Sequence, residues 1–198
     1  MQAWGLATPS AARIMAEECN LGAAMATLNT KLCILTPDAS YSERWQPDAA
    51  QYRQLLGEDL TLRPWVDAGD LSTFECVLPL LVWGYPAQSA RWYCALDAWE
   101  EQGINFINPI PTLRWNTDKD YLIDLAAVGI PTVPTVEIHG LIPATLAEAR
   151  AELGAKTVVV KPSISAGAMR TYRLSPEDAI PFDVYDKEML VQPLMPSV

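Results

Sequence analysis

The sequence contains little histidine, few basic residues and no long apolar run. Its 198 residues include one histidine, His139, and 14 Lys and Arg against 24 Asp and Glu, which gives a formal net charge of −10. A single histidine argues against a multi-histidine metal site or a histidine-based triad. Nucleic-acid phosphates and anionic lipid headgroups repel so negative a chain, so neither is an expected partner. The apolar run at 76–85 falls short of the roughly 20 residues that span a bilayer.

The cysteines and glycines also lack the spacings of several common sites. The cysteines show no CxxC spacing and lie in apolar segments, which predicts buried reduced thiols rather than a disulfide frame or a zinc site: Cys19, Cys33, Cys76 and Cys94. None of the ten glycines forms a GxG, and GxxxxGK[ST] does not occur, which argues against the usual dinucleotide-binding and P-loop devices. The first 20 residues carry Glu17 and Glu18 and no basic cluster before an apolar stretch, which predicts a cytoplasmic protein.

The first half alternates strand-like and helix-like segments. Residues 1–29 form a poorly patterned N-terminal extension. After them, strands are predicted at 31–36, 60–66 and 76–83, and helices at 48–56 and 88–102. Such alternation indicates α/β architecture with a parallel sheet, so residues 30–110 are predicted to be a small Rossmann-like domain. The two prolines in Asn108-Pro109-Ile110-Pro111 predict a domain boundary there.

The second half, 111–198, has sharper local signals. Thr117 and Asp120 are spaced like a capping box at the start of a helix that ends at Gly129, and Thr145 precedes a helix over 146–153. His139 precedes Gly140 in a predicted turn. Strands at 157–160 and 172–174 flank a loop of small residues, and a last strand covers 189–191.

Lys119 is the first candidate site residue. Placed in the first turn of a helix, a lysine is disfavoured by the macrodipole, and a broken local rule often marks a site. Together with free amide donors, its ammonium would bind an anion, with phosphate the obvious occupant. The structural alternative is a solvated lysine paired with Asp118 or Asp120.

Lys161 is the second candidate, because it ends the run Val158-Val159-Val160 and leads directly into the loop 162–168. A loop of Ser, Ala and Gly can present amides and hydroxyls to phosphate oxygens at little steric cost. Arg170, just past the loop, adds a further cation. The alternative is a flexible hairpin tip beside a lysine whose ammonium reaches solvent.

Four segments in order carry a resemblance to a known family: Asn116-Thr117-Asp118-Lys119, the stretch 127–135, Val159-Val160-Lys161-Pro162 with its loop, and Leu190-Val191-Gln192-Pro193. Together they resemble the ATP-grasp superfamily, in the branch of glutathione synthetase and RimK-type ligases, over residues 108–198. The resemblance implies a Rossmann-like pre-ATP-grasp domain followed by the N-terminal α+β subdomain of an ATP-grasp fold, which ends at the hinge.

The resemblance also implies roles for individual residues. Lys119 would contact phosphate, and Lys161 would reach the α-phosphate and the adenine side. Residues 163–168 would be the mobile loop over the triphosphate, although Ala166 and Ala168 stand where many members have glycine. The implied cofactor-binding set is Lys119, Lys161, Ser163, Ser165, Ala166, Gly167, Gln192, Pro193 and Met195, the last three at the hinge beside adenine.

The implied activity is that of an ATP-dependent ligase joining a small-molecule carboxylate to an amine through an acyl phosphate. Its cofactors would be ATP and Mg²⁺, with the magnesium ligands expected in a part of the protein beyond Val198. Asp178, Asp183, Asp186 and Glu188 are interpreted as a solvated acidic surface. Relatives often form homo-oligomers, and the sequence leaves that state open. The alternative is a catalytically inactive ATP-grasp remnant that binds a small ligand or a partner.

Overall fold

The computed structural model describes residues 31–42 and 44–195, which divide into two compact units. The first unit runs through Trp83 and includes Asp97–Asn108, and the second comprises Gly84–Leu96 and the chain from Pro109. The predicted extension at 1–29, and Cys19 with it, lies outside the described residues. The predicted domain limits stay predictions.

The first unit is built on a parallel sheet, as the alternating pattern predicts. Its strands are β1 (Leu32–Thr36), β2 (Thr61–Pro64) and β3 (Cys76–Leu78), in the order β2-β1-β3, and helix α1 (Gln46–Leu56) follows β1. All five residues of β1 are buried. A central parallel strand covered on both faces takes such a continuous apolar run.

The predicted strands at 60–66 and 76–83 are too long. Strand β2 ends at Pro64, and Trp65–Asp67 form a 3-10 turn. Strand β3 ends at Leu78, because Pro79 has no N–H to continue the ladder, and the chain then turns so that Leu81 donates to the Leu35 carbonyl at 3.2 Å. A second 3-10 turn, Tyr85–Gln88, leads into helix α2 (Ser89–Glu101).

The cysteines of the described residues are free thiols, but they are not all buried. Cys33 lies in the buried strand β1, where burial raises the pKa of its thiol to about 11. Cys76 is half-buried. Cys94 is exposed, so the prediction of a buried thiol is wrong there, because this position lies on the outer face of α2.

The second unit contains a helix that the sequence reasoning missed. Helix α3 (Ile110–Thr117) begins at the segment read as a break, because proline at 111 lies in the first turn, where its missing N–H costs nothing. Thr117 therefore ends α3 and caps no helix: its buried hydroxyl accepts from the Trp92 indole at 2.9 Å and donates to the Leu113 carbonyl at 2.7 Å. Helix α4 (Tyr121–Ala127) starts after Lys119, so Lys119 does not lie in a first turn and the macrodipole argument does not hold.

An antiparallel sheet forms the rest of the second unit. Its strands are β4 (Val136–His139), β5 (Val158–Lys161), β6 (Tyr172–Leu174) and β7 (Glu188–Pro193), in the order β4-β7-β5-β6. The predicted hairpin around the small-residue loop and the last strand are confirmed. Strand β4 was missed: His139 ends it, and the turn begins only at Gly140, whose φ is 101°.

Helix α5 (Pro143–Leu153) covers one face of this sheet. It begins three residues before the predicted start, so Thr145 is its third residue, and the hydroxyl of Thr145 accepts from the Ile142 N–H at 3.1 Å and donates to the Gly140 carbonyl at 2.7 Å. The core beneath it contains alternate residues of the four strands with Leu146 and Ala149 of the helix: Ile138, Val158, Val160, Leu174, Met189 and Val191.

No helix in the described ranges is long and apolar enough to cross a membrane.

Candidate functional site

The face of the antiparallel sheet opposite helix α5 carries two of the predicted site residues. Directly paired residues of neighbouring strands share a face, and Val159 pairs with Gln192 while Lys161 pairs with Leu190. Lys161 and Gln192 are therefore on the same face, separated by roughly 7 Å along the strands. Leu190, which pairs with Lys161 on this face, is fully buried, whereas Lys161 is only half-buried.

Lys119 is joined to the loop that follows Lys161. Its backbone N–H donates to the Ser163 carbonyl at 3.1 Å. Its ammonium donates to the same carbonyl at 3.2 Å, to the Ser165 hydroxyl at 3.1 Å and to the Ser165 carbonyl. Within the described residues Lys119 forms no ion pair with Asp118 or Asp120. The structure therefore does not show the alternative predicted from the sequence, a solvated lysine paired with one of these carboxylates.

Lys119 and Lys161 bring two ammonium groups to this site, and neither forms an ion pair with a carboxylate in the described part of the chain. Burial lowers the pKa of Lys119, the charge of Lys161 lowers it further, and Asp118 partly opposes this. Burial also lowers the pKa of Lys161. Each ammonium is thus partly desolvated, and Lys119 also lies near the like charge of Lys161, so a bound anion would stabilise the charged form of both. These residues could hold an anion such as phosphate.

The predicted site residues of the loop differ in how far they are exposed. Ser165 is buried, and its hydroxyl donates inward to the Pro162 carbonyl at 3.1 Å, so that proton is not offered to a ligand in this conformation. Ser163 is half-buried, and its carbonyl accepts from Lys119. Ala166 and Gly167 lie at the exposed tip. The nucleotide roles of all four residues stay predictions.

Part of the predicted hinge belongs to the antiparallel sheet. Gln192 and Pro193 belong to β7, and the Gln192 amide donates to the Thr135 hydroxyl at 2.8 Å. Beyond the strand, the Leu194 N–H donates to the Thr157 carbonyl at 3.2 Å, so this amide is already used. Met195 is exposed. The predicted contacts of Gln192, Pro193 and Met195 with adenine stay predictions.

Two residues of the loop adopt a backbone conformation that favours glycine. Ala168 has φ of 57° and Arg170 has φ of 54°, and each costs about 1–2 kcal/mol in that region. Turn hydrogen bonds hold the loop, from Met169 to the Ala166 carbonyl and from Thr171 to the Ala168 carbonyl, both 3.1 Å. The absence of glycine at 168 is therefore a source of strain.

A cavity of about 380 Å³ lies beside the loop but includes neither Lys119 nor Lys161. Arg170 approaches Asp183 in it at 4.0 Å, and the Tyr172 hydroxyl donates to Asp183 at 2.8 Å. The remaining lining residues are Pro162, Val184, Asp186, Lys187, Glu188 and Met189. The acidic residues at 178, 183, 186 and 188 are exposed, as interpreted from the sequence, but Asp183 also orders its neighbours.

A carboxylate pair flanking Lys119 was not anticipated as a pair from the sequence. The Asp120 N–H donates to an Asp118 carboxylate oxygen at 3.1 Å, and Asp120 Oδ1 is enclosed without a hydrogen-bond partner in the described residues. Burial, then the charge of Asp118 and a hydrogen bond with it, raise the pKa of Asp120 to about 6, with smaller effects from Glu137 and Asp124. The described residues contain no group of three His, Cys, Asp or Glu that could hold a metal ion.

Comparisons with known proteins show which structures this chain resembles. No protein-family model matches the sequence. The cycloserine biosynthesis protein DcsG of Streptomyces lavendulae is 36% identical over 69 residues, which are 35% of this chain and 23% of that protein. The crystal structure of the D-cycloserine synthetase DcsG matches 82% of this chain and 59% of that chain, with a TM-score of 0.64 and 23% identity.

Two further solved structures are similar. The D-alanyl-alanine synthetase A of Vibrio cholerae matches with a TM-score of 0.55 and 15% identity, over 84% of this chain and 60% of that one. The ATP-grasp ligase PsnB matches with a TM-score of 0.51 and 16% identity, over 85% and 65%. The chain therefore spans 59% to 65% of the length of these structures and shares their fold.

We predict that Ala168→Gly stabilises the protein by roughly 1 kcal/mol, because glycine adopts the positive φ of this position without strain. The matched control is Ala166→Gly in the same loop, where φ is not positive, and it should destabilise by about 0.5–1 kcal/mol. The measurement is urea denaturation of the three proteins. Equal effects of the two substitutions would contradict the strain at 168.

We predict that Asp120→Asn stabilises the protein more at pH 7 than at pH 4.5. The folded pKa of Asp120 is raised above its unfolded value near 4, so the native state holds more protons between about 4 and about 6, and stability falls as pH rises through this window. Asparagine does not ionise, so the variant does not lose stability in this pH window.

The measurement is the difference in free energy of unfolding between variant and parent at both pH values. Asp59→Asn, on an exposed side chain, is the control for loss of one negative charge. A pH-independent difference for Asp120→Asn would show that Asp120 does not titrate as described.

Proposed function

We propose, on the premise that the chain has the fold of the ATP-grasp ligases, that it supplies part of the ATP site of an ATP-dependent ligase. The observation that carries the proposal is the pair Lys119 and Lys161, two half-buried ammonium groups beside one loop, without a carboxylate partner among the described residues. Buried cations without counter-ions are costly, which favours a site that is completed by an anionic ligand.

The nucleotide would lie along the face of the sheet that carries Lys161 and Gln192. Its phosphates would contact Lys161 and Lys119, and the loop 162–170 would lie over them. The Lys119 ammonium now donates to Ser163 and Ser165, so phosphate oxygens would have to replace some of these acceptors. The base would lie toward Gln192, roughly 7 Å along the strand direction from Lys161.

The proposed reaction joins a small-molecule carboxylate to an amine. A carboxylate is a poor electrophile, so ATP would first convert it to an acyl phosphate, and the amine would then displace phosphate. The lysines would offset charge on the phosphates, and the loop would keep water from the reacting groups. Mg²⁺ would offset further charge on the phosphates, and we propose that its ligands lie outside the described residues.

We predict that Lys161→Met weakens binding of ATP about tenfold or more, because a charge-assisted contact with phosphate is lost while the aliphatic stem is kept. The matched control is Lys156→Met on an exposed lysine outside the site, which should leave the dissociation constant unchanged. Isothermal titration calorimetry on each purified chain is the measurement.

An unchanged dissociation constant for Lys161→Met would contradict the proposed phosphate contact. Release of ADP with candidate acids and amines, assayed in parallel, separates the two functions considered. Turnover supports the ligase. Binding of ATP without turnover in the whole protein supports the alternative, an inactive ATP-grasp remnant that acts as a binding module.

A further inference from the structure

Gln192 is held in one orientation by a residue of the strand beside it. Val136 pairs with Val191 in the antiparallel sheet, so continuing the register by one residue brings Thr135 opposite Gln192. The Gln192 side-chain nitrogen donates to the Thr135 hydroxyl at 2.8 Å, and that hydroxyl donates to the Val133 carbonyl at 2.8 Å. Gln192 is only 8% exposed, so its rotamer has little freedom.

These two hydrogen bonds determine which end of the amide faces Thr135. A hydroxyl has one proton, and the Val133 carbonyl takes it, so toward Gln192 the hydroxyl can only accept. The NH₂ end must therefore face Thr135. If the amide were reversed, its oxygen would face a hydroxyl oxygen with no proton to share, or the Val133 carbonyl would lose its partner.

The opposite end of the amide, Oε1, is consequently presented as an acceptor. It has no hydrogen-bond partner in the part of the chain that the structure describes, and it is not one of the three fully enclosed polar atoms there that lack one. Gln192 lies on the same face of the sheet as Lys161, two residues along β7 from Leu190, the residue that pairs with Lys161. A fixed acceptor in a largely buried setting favours a donor and rejects another acceptor.

We infer that Thr135 is a positioning residue that sets base selectivity, by turning the Gln192 oxygen toward the base of the bound nucleotide. This inference rests on the proposed function. An acceptor at this place selects a base with an exocyclic amino group and disfavours one with an oxo group at the same position. Thr135 touches no nucleotide atom itself and acts only through Gln192.

The test compares ATP with inosine triphosphate, which carries an oxo group where ATP carries its 6-amino group. For the unmodified chain we expect ATP to bind about tenfold or more tightly than inosine triphosphate. In Thr135→Val, which keeps the shape and removes the hydroxyl, the amide is free to reverse, and the ratio of the two dissociation constants should fall toward one. Thr135→Ser keeps the hydroxyl and should restore the preference.

A second variant tests the same contact in case substitution at position 135 prevents folding. Gln192→Met has similar length and no acceptor, so it should weaken binding of ATP and lose the preference over inosine triphosphate. Thermal unfolding of each variant shows whether it is folded. If folded Thr135→Val keeps the parental ratio, the positioning role is overturned while the proposed function stands. If the parent binds neither nucleotide, the proposed function fails, and this inference fails with it.

Discussion

The antiparallel pairing of β5 with β7 is the constraint on which the site depends. It joins Val159 to Gln192 and Lys161 to Leu190, and a slip of one residue would move every side chain of the strand to the other face. The register is held by burial, since Val158, Val160, Met189 and Val191 must remain in the core under helix α5. The same alternation then leaves Lys161 and Gln192 on the opposite face.

Lys119 adds a second cation from outside the sheet. The segment between α3 and α4 carries it to the loop after β5, where the Ser163 carbonyl accepts from both its backbone and its side chain. This arrangement keeps two partly desolvated ammonium groups near each other, which is unfavourable in isolation. The loop carbonyls and the Ser165 hydroxyl satisfy Lys119 in the present conformation, and a phosphate would supply stronger acceptors.

Sequence patterns predicted the parts of this arrangement that depend on local periodicity. The buried strand β1, the hairpin of β5 and β6 and the last strand follow from apolar runs bounded by small residues and proline. The place of Lys161 beside the loop followed from adjacency in the sequence, whereas the shared phosphate role predicted for Lys119 and Lys161 followed from the resemblance to ATP-grasp enzymes.

What the sequence did not predict depends on tertiary contacts. The spacing of Thr117 matches a capping box, but its hydroxyl accepts from the indole of Trp92, which lies 25 residues earlier. The glycine after His139 predicts a turn there, yet His139 still pairs with Glu188 of strand β7. The Gln192 contact with Thr135 joins residues 57 apart, and no local pattern signals it.

The central claim is that a nucleotide lies on the face of the antiparallel sheet that carries Lys161 and Gln192. The most direct measurement is a crystal structure of the chain with a non-hydrolysable ATP analogue. The account predicts phosphate oxygens within hydrogen-bond distance of the Lys161 and Lys119 ammonium groups, with the base beside Gln192. A triphosphate bound instead in the cavity lined by Arg170 and Lys187, with both site lysines uncontacted, would contradict it.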